Sequence, residues 1–519
     1  MEATTPTSAG STAERTVPGM TQSRAVGLLL FGTLALALTP IAWFWYQVGN
    51  PWGPAITTLI ATLLFGLYIG INWRSLASVD PMLWIPVFLF LFSFGMPVAV
   101  DLLGGFRDYD AWNLGKEAPR LDQAFAVALL AFVAFLFGAH LAGLAPMKRI
   151  STRDRSGERD LVIPGGILML IGTAMLMLGV VVAGPGLLLG SYGDQMTARQ
   201  VGAADFRLIA VGSVFGPAGA MAMISSHRPG RWAPTLAALL AFMPVLMLNL
   251  ATGDRSNVMV IGITAAWVYG QRVRRLRFGF VLLAFLVGFL SGPIVGEYRQ
   301  FKTTQVLDQE SFLRLGGASF YEMGSTVQVF AYTLEKIPGE KPYAWGLSLA
   351  DPLVDLFPNL LPTVSMGTFL DPLEYHTALW VTATANPDKV IQKGGYGYAL
   401  GAEWYFNFGI PGVLLGMILT GYLTGRVRNA SVEGPLKLVW SALVFGMLAL
   451  VVRNAVGAPL KMTVWPMVAL LGLSYFMRML FGSTQPVRRP GARAGALPPP
   501  PHPALQPPSS PHREGQPRT

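Results

Sequence analysis

The sequence is dominated by apolar stretches of membrane-spanning length, which recur from residue 25 to residue 481. An α-helix needs about twenty apolar residues to cross a bilayer core. Only helices and closed barrels satisfy their backbone polar groups there. The chain is 52% hydrophobic and 13% charged, with a mean hydropathy of +0.47, whereas a soluble domain is about one quarter charged. This pattern predicts an all-α, polytopic integral membrane protein.

We place about twelve transmembrane helices along the chain. Their approximate limits are residues 25–48, 53–71, 82–100, 123–146, 161–183, 207–225, 233–250, 256–270, 278–296, 400–425, 436–452 and 462–481. The first stretch is too long, and too aromatic at its end, for a typical cleaved signal peptide. We therefore expect it to be retained as the first span.

The basic residues between the spans predict the orientation. Residues 147–160 and 271–277 are rich in arginine, and pairs of arginines occur at 228 and 231 and at 426 and 428. All of them fall on one side of the membrane when the spans are threaded alternately. By the positive-inside rule this side is the cytoplasm. Both termini are then cytoplasmic, and the net charge of +10 indicates orientation in a lipid bilayer rather than nucleic-acid binding.

Three further segments define the domain organisation. Residues 1–22 form a small, polar N-terminal tail that we expect to be disordered, and residues 484–519 form a Pro-rich tail of the same kind. Residues 23–483 make up the transmembrane domain. Within it, residues 297–399 form a large external loop with many prolines, which we predict to be a partly helical cap, because loops of this length are usually functional.

The composition excludes several kinds of active site. The chain contains no cysteine, which excludes disulfides, thiolate nucleophiles and Cys-ligated metals. Its five histidines form no His-x-x-x-His pair, as a zinc membrane protease would need. The Asp108-Tyr109-Asp110 motif matches the paired aspartates of metal-dependent glycosyltransferases, but a solvated loop is the favoured interpretation of so short a match. We expect no metal and no cofactor.

A glycine-rich run enters the tenth span and leads into Glu403 and Asn407, which share one helix face. A carboxylate inside a membrane is a functional hypothesis by default. A partly desolvated carboxylate has a raised pKa, so Glu403 is a candidate general base. Tyr396, Tyr405 and Asn407 suit sugar binding through ring stacking and polar hydrogen bonds. The alternative is a helix-packing segment in which Glu403 holds a neighbouring arginine.

Three arginines are candidate diphosphate-binding residues. Arg255 follows the tight turn 252–254 and lies beside a helix N-terminus, where exposed N–H groups favour an anion. Its planar guanidinium binds phosphate oxygens in a bidentate fashion. Arg299 and Arg453 lie at the external ends of two other spans. For each, the alternative is an interfacial anchor or a local ion pair. His376 is a further candidate sugar contact, although a lone loop histidine is more often ordinary surface.

These residues resemble the O-antigen polymerase family, also called oligosaccharide repeat unit polymerases. The run from Glu403 to Gly412 is similar to the family's Glu-x-Tyr-x-Asn-Phe-Gly-x-x-Gly pattern. Gly253-Asp254-Arg255-Ser256 is similar to its Gly-Ser-Arg turn, with Asp254 in place of Ser. The external loop carries Leu356-Phe357-Pro358-Asn359, similar to the family's proline-bearing stretch, and Arg453 ends the next span. The resemblance covers about residues 245–460.

The resemblance implies a function, a fold and a set of partners. Members of this family join lipid-linked oligosaccharide repeat units on the outer face of the bacterial inner membrane. The donor is a glycan on undecaprenyl diphosphate, and the acceptor is a second lipid-linked repeat unit. The implied fold is a GT-C-like, metal-independent polymerase or ligase fold. The expected partners are these lipid-linked oligosaccharides and the bilayer, with a chain-length regulator protein as a further candidate.

In this hypothesis Arg255 and Arg453 bind the diphosphates and Arg299 supports them, while Glu403 acts as base or sugar orienter. Without a metal, arginines must stabilise the leaving group. An O-antigen ligase or another lipid-linked GT-C glycosyltransferase is one alternative. A polysaccharide or lipid transporter is a second, although the sequence shows no convincing internal repeat of the kind common in transporters.

Overall fold

The structure of the chain is a computed structural model. It describes residues 22–50, 52–102, 114, 120–143, 161–184, 203–251, 255–301, 311–356, 372–388 and 396–481. A compact body extends to Ser474, and the second unit begins at Tyr475, with residues 475–481 described as helix. Residues 1–21, the predicted Pro-rich tail and the Asp108–Asp110 motif lie outside the described residues.

The described elements are helices, apart from one isolated bridge between Arg228 and Arg231. Helices α1 to α9 are Gln22–Val48, Gly53–Asn72, Pro81–Pro97, Leu121–Ala142, Val162–Ala183, Ala203–Ser225, Ala233–Ala251, Arg255–Arg272 and Phe278–Phe301. Helices α10 to α17 are Ser311–Gly324, Thr326–Lys336, Leu347–Asp355, Pro372–Tyr375, Thr377–Ala385, Leu400–Ala430, Pro435–Val451 and Gly457–Phe481. A short π-helix, Val98–Leu102, extends α3. The predicted all-α membrane protein is confirmed.

Among the described residues, nine helices are long and apolar enough to cross a bilayer, namely α1 to α7, α15 and α17. Each of the twelve predicted spans contains a helix, and the three helices outside this set of nine are α8, α9 and α16. Polar residues at both ends lower the hydropathy of α8, and α16 has only 17 residues. Within α9, the described apolar stretch is Phe278–Leu290.

Small residues allow the central helices to touch through their backbones. A Cβ atom on Gly138 of α4 would lie 2.0 Å from the carbonyl oxygen of Ile418 in α15. One on Gly421 of α15 would lie 2.1 Å from the carbonyl oxygen of Phe135. Lipid tails are as apolar as the side chains, so helices in a bilayer associate largely through such close van der Waals packing. Helix α4 is therefore held at the centre of the bundle.

One end of the bundle is identified by contacts between distant helices, and we call it the basic end. There the Arg428 Nε donates to both carboxylate oxygens of Asp80, at 3.0 and 2.9 Å. The Ser78 hydroxyl donates to the carbonyl of Leu276 at 2.7 Å. The start of α3, the end of α8 and the end of α15 therefore meet at the basic end.

The opposite end is covered by the described part of residues 337–399, which we call the cap, and we name it the capped end. Helix α8 begins there, because it finishes at the basic end. The N–H groups of Ala344 and Trp345 in the cap donate to the carbonyls of Phe406 and Asn407, at 3.0 and 3.1 Å. The cap is thus hydrogen-bonded to the first turns of α15.

The long predicted loop contains helices, as expected, but two of them lie within the bundle rather than over it. A Cβ atom on Gly324, at the end of α10, would lie 1.9 Å from the backbone nitrogen of Met96. Phe330 of α11 contacts Gly401 of α15, and Val329 and Ala331 are fully buried. Helix α11 has 11 residues, which is too short for the hydropathy pattern to mark it as a buried membrane element.

Helix α15 is two helices joined at a sharp break. Gly409 has φ 67° and ψ −156°, which is not helical. A Cβ atom added to Gly416 would lie 1.9 Å from Cδ2 of the Trp404 ring, so this ring packs directly against the glycine. Twelve residues of continuous helix would separate these positions by about 18 Å. The first arm (residues 400–408) therefore folds back against the second arm (residues 410–430).

Candidate active site

Glu403 is a buried carboxylate at the capped end, on the first arm of α15. It is 3% exposed. The Thr377 hydroxyl donates to its Oε2 at 2.6 Å, and the Ser348 hydroxyl donates to its Oε1. Ser348 lies in the first turn of α12, and Thr377 begins α14. One carboxylate thus joins the first arm to two helices of the cap.

Asn407 lies one turn after Glu403 and is fully buried. Its Nδ2 donates to the Ser348 hydroxyl at 2.6 Å and to the Glu403 carbonyl at 2.8 Å. Its Oδ1 accepts from the Gly346 N–H at 2.9 Å. The two polar residues predicted to share a helix face therefore share a partner, Ser348.

The break at Gly409 explains why the cap binds here. The last carbonyls of a helix have no partner within it. Because the first arm ends before Gly409, the carbonyls of Phe406 and Asn407 are available, and they accept the N–H groups of Ala344 and Trp345. A side chain at position 409 would also meet Tyr343, whose hydroxyl lies 2.9 Å from an ideal Cβ. The glycine is required both by its positive φ and by this close approach.

Arg453 is joined to the start of the first arm by main-chain hydrogen bonds. The Tyr398 N–H donates to the Arg453 carbonyl at 2.6 Å, and the Leu400 N–H donates to the Val452 carbonyl at 3.3 Å. The Arg453 guanidinium carbon lies 5.7 Å from the centroid of the Phe92 ring. Phe92 and Val452 also line a small cavity, together with Ala131, Phe330, Gly401 and Met417. The structure thus places Glu403 and Arg453 in one neighbourhood.

Tyr398 is hydrogen-bonded to Arg453 through the main chain and lies within electrostatic range of Glu403. Its side chain is 1% exposed, and its hydroxyl lies 3.1 Å from the Thr333 hydroxyl. Burial raises the pKa of the Tyr398 phenol well above 10.0, the negative charge of Glu403 raises it further, and the Thr333 hydrogen bond acts in the opposite direction. Tyr398 is therefore a neutral phenol across the physiological pH range.

Two predicted sugar contacts are buried tyrosines. Tyr405 is 1% exposed, and its hydroxyl donates to the Ile337 carbonyl at 3.1 Å. Its ring centroid lies 6.0 Å from that of Tyr343. Tyr396 is also buried. In this conformation a sugar reaches Tyr396, Tyr405 or Asn407 only if the cap moves, and their role stays a prediction.

His376 is another predicted sugar contact, and it lies in the cap. It precedes α14 and caps it, since its Nδ1 accepts from the Leu379 N–H at 3.3 Å. It is partly exposed, and its neighbour Thr377 is a hydrogen-bond partner of Glu403. His376 therefore lies next to the buried carboxylate in the chain, and sugar binding by it remains a prediction.

Arg255 and Arg299 are placed by their backbones. Arg255 is the first residue of α8, and α8 finishes at the basic end, so Arg255 lies at the capped end. Helix α9 starts just after the basic end and carries Arg299 in its last turn. The turn 252–254 lies outside the described residues. All three predicted arginines thus lie at the same end of the bundle as Glu403.

Ser348 and Thr377 were not predicted from the sequence. Each is a single hydroxyl residue near the start of a short cap helix, and no periodicity marks such a position. Only their contact with Glu403 in the tertiary structure identifies them. The arrangement offers a carboxylate for proton transfer, hydroxyl donors and a nearby guanidinium for an anion. Within the described ranges, no three acidic or histidine side chains converge as metal ligands do.

Comparison with known proteins assigns the family. No curated protein and no solved structure matches the chain. The family model for O-antigen polysaccharide polymerase Wzy matches residues 29–483. This range contains the bundle, the cap and every predicted site residue. The chain therefore belongs to the O-antigen polysaccharide polymerase Wzy family, the membrane glycosyltransferases that polymerise lipid-linked oligosaccharide repeat units.

Proposed function

We propose that polymerisation takes place at the capped end, in the space between Glu403 and Arg453. The observation that carries this proposal is the pair of main-chain hydrogen bonds that join residues 398–400 to Val452 and Arg453. They hold a buried carboxylate and a guanidinium on adjoining segments. Glycosyl transfer from a lipid diphosphate needs both groups, one for the proton of the acceptor and one for the charge of the leaving group.

The capped end faces the outside of the bacterial inner membrane in this proposal. The arginines of residues 271–277 follow α8, which finishes at the basic end, and the positive-inside rule assigns such loops to the cytoplasm. Both termini, with the tails 1–22 and 484–519, are then cytoplasmic. The site then lies at the outer face of the membrane, where the lipid-linked repeat units are displayed.

We further assign twelve spans and a GT-C-like, metal-independent architecture. Helices α8, α9 and α16 complete the nine long apolar helices. Support comes from packing: α8 contacts α16 where Val260 and Thr264 meet Gly446, within 3.2 and 3.3 Å of an ideal Cβ. A polar helix such as α8 crosses a membrane when its neighbours cover it.

The substrates are two oligosaccharides, each linked to undecaprenyl diphosphate. Arg453 binds the diphosphate of the donor, with Arg255 as second ligand and Arg299 in support. All three lie at the capped end, and guanidinium groups bind phosphate oxygens in a bidentate fashion. A chain-length regulator protein is a further proposed partner.

Glu403 acts as base once an acceptor sugar hydroxyl replaces the Ser348 or the Thr377 hydroxyl. The acceptor O–H proton passes to the Glu403 carboxylate, and the acceptor oxygen forms a bond to the anomeric carbon of the donor. The bond from that carbon to the diphosphate oxygen breaks, and the diphosphate leaves with the electron pair. The configuration at the anomeric carbon inverts. Tyr396, Tyr405, Asn407 and His376 contact the sugars when the cap opens.

Reconstitution tests the proposal. Purified protein in vesicles receives lipid-linked repeat units extracted from the producing cells, and the product is separated on a gel. Wild-type protein forms a ladder. Arg453→Ala and Arg255→Ala lower the initial rate by about 10²–10³-fold, the usual effect of removing one transition-state donor. Arg275→Ala, an exposed arginine near the basic end, is the matched control and keeps the wild-type rate.

The two alternative functions give other products. A ligase transfers the glycan once to a separate acceptor and makes no ladder from repeat units alone. A transporter moves the repeat units across the vesicle membrane without forming a glycosidic bond. Normal ladders from Arg453→Ala, Arg255→Ala and Glu403→Ala at wild-type expression would reject the residue assignments while leaving the family intact.

A further inference from the structure

Trp345 has an unusual backbone and an unusual exposure for so large a residue. Its φ is 50°, and it is the one non-glycine residue with positive φ in the described part of the chain. This conformation is unfavourable for a side chain with a Cβ atom. Yet 73% of the side chain is exposed, so burial of the ring does not offset the strain. Strain of this kind concentrates at binding sites, where the surroundings hold it.

The strain is maintained by the residues of the candidate active site. The N–H groups of Trp345 and Gly346 donate to the carbonyl and the side-chain oxygen of Asn407, at 3.1 and 2.9 Å. The Leu347 N–H closes the turn on the Ala344 carbonyl at 3.0 Å. The turn thus fixes the Trp345 ring relative to the first arm that carries Glu403.

Other rings connect Trp345 to the interior. Its centroid lies 6.3 Å from that of Phe408, which is 36% exposed, and 6.1 Å from that of Tyr343. Tyr343 in turn lies 6.0 Å from Tyr405. The result is an aromatic surface at the capped end that leads toward the buried tyrosine. A flat ring with polar groups at its border matches the apolar face of a pyranose.

We propose that Trp345, with Phe408 and Tyr343 beside it, is a sugar-stacking subsite that binds a pyranose ring of the lipid-linked oligosaccharide. The inference rests on the proposed function for the identity of the ligand. Phe408 and Tyr343 keep the Trp345 ring in one orientation, and Asn407 links the subsite to Glu403. Trp345 contacts substrate and takes no part in proton transfer.

A membrane anchor is the competing role for an exposed tryptophan. An anchor needs only an exposed position near the headgroups, and any regular helix provides it. Trp43 is such a residue: it is 52% exposed near the end of α1. The end of α4 lies at the basic end, because the Gly143 carbonyl accepts from Asn429, the neighbour of Arg428. Arg24 of α1 donates to the Leu141 carbonyl of α4, so α1 starts at the basic end and Trp43 lies toward the capped end. The strained turn at Trp345 is unnecessary for anchoring, which favours the sugar.

The absence of cysteine makes a binding test site-specific. Leu347→Cys places one thiol two residues from Trp345, at a position that is 39% exposed. Its labelling by a membrane-impermeant maleimide is followed while extracted lipid-linked repeat units are titrated. We expect protection, with a midpoint about tenfold higher when Trp345→Ala is added. Trp345→Phe restores most of the affinity, and Trp43→Ala leaves the midpoint unchanged.

Two controls keep the test decisive. Trp345→Gly removes the ring and also relieves the positive φ, so the protein folds at least as well, and the midpoint must still rise. Undecaprenyl phosphate, which has no sugar, must not protect. An unchanged midpoint in both Trp345→Ala and Trp345→Gly overturns the inference, as does equal protection by undecaprenyl phosphate or an equal shift in Trp43→Ala. Because labelling needs no turnover, these outcomes are distinct from failure of the polymerase reaction.

Discussion

Two buried carboxylates, Asp80 at the basic end and Glu403 at the capped end, are held in different ways. Asp80 is fully buried, caps α3 through the Met82 N–H at 2.9 Å, and receives both hydrogen bonds from the Arg428 Nε. Glu403 is 3% exposed and receives hydrogen bonds from two hydroxyls of the cap. The first contact joins two long helices, and the second joins a short arm to a covering segment.

In the proposed function, this difference separates a structural carboxylate from a reactive one. A guanidinium paired with a buried carboxylate cannot be removed without leaving an isolated charge. A hydroxyl donor can be replaced by another hydroxyl, and a sugar offers several. Asp80 is therefore suited to fix the basic end permanently. In the proposed function, Glu403 exchanges one of these hydroxyl partners for a sugar hydroxyl during the reaction.

The largest effect is expected at Glu403. Glu403→Gln keeps the shape of the side chain but cannot take a proton, so the polymerisation rate falls by about 10²–10⁴-fold. The unfolding temperature in detergent changes little, because an amide oxygen still accepts a hydroxyl donor. The contrast between Asp80 and Glu403 is wrong if the variant keeps the wild-type rate. It is also wrong if the variant unfolds, as expected on loss of a structural carboxylate.

At Arg428 we expect a large effect on stability, in contrast to the effect on rate at Glu403. Arg428→Ala leaves Asp80 buried without its cation and destabilises the protein by about 3–5 kcal/mol, measured by thermal unfolding in detergent. Lys437→Ala, in the exposed pair with Glu433, is the control and changes stability by about 0–1 kcal/mol. Equal unfolding temperatures for the two variants would show that the buried pair does not fix the basic end.

The contact between α4 and α15 connects the two ends and gives a third measurement. Gly421→Val places side-chain atoms against the Phe135 carbonyl, where even a Cβ would lie at 2.1 Å. We expect a loss of about 1–3 kcal/mol from overpacking. Gly66→Val in α2, where no atom lies within 4 Å of the added Cβ, should have a much smaller effect. Similar losses at both glycines would contradict this packing.

The smallest effect is expected at Ser348, and it tests what the hydroxyl donors of Glu403 contribute. Ser348→Ala removes one donor from Glu403 and one acceptor from Asn407, and a hydrogen bond of this kind contributes about 0.5–1.5 kcal/mol. The rate should fall only several-fold, because the acceptor sugar supplies the missing hydroxyl. A loss as large as that of Glu403→Gln would mean that Glu403 serves mainly to hold the cap.

Part of the candidate active site was predictable from local rules of helix geometry and topology. Four-residue spacing placed Glu403 and Asn407 on one helix face, and both contact Ser348. Alternate threading of the spans placed Arg255 and Arg453 at the same end as Glu403. Their catalytic and binding roles stay predictions. The partners of Glu403 were not predictable, because Ser348 and Thr377 are 55 and 26 residues away from it in the chain.

By itself, the sequence determined that this protein lies in a lipid bilayer and that it crosses the bilayer as helices. Apolar length and the requirement to satisfy backbone groups in lipid leave little choice for a chain with so few charges. Tertiary structure alone decided that α15 folds back at Gly409, that α11 lies inside the bundle, and that Asp80 pairs with Arg428. Hydropathy measures transfer into a bilayer, whereas these features depend on contacts between residues far apart in the chain, which only packing brings together.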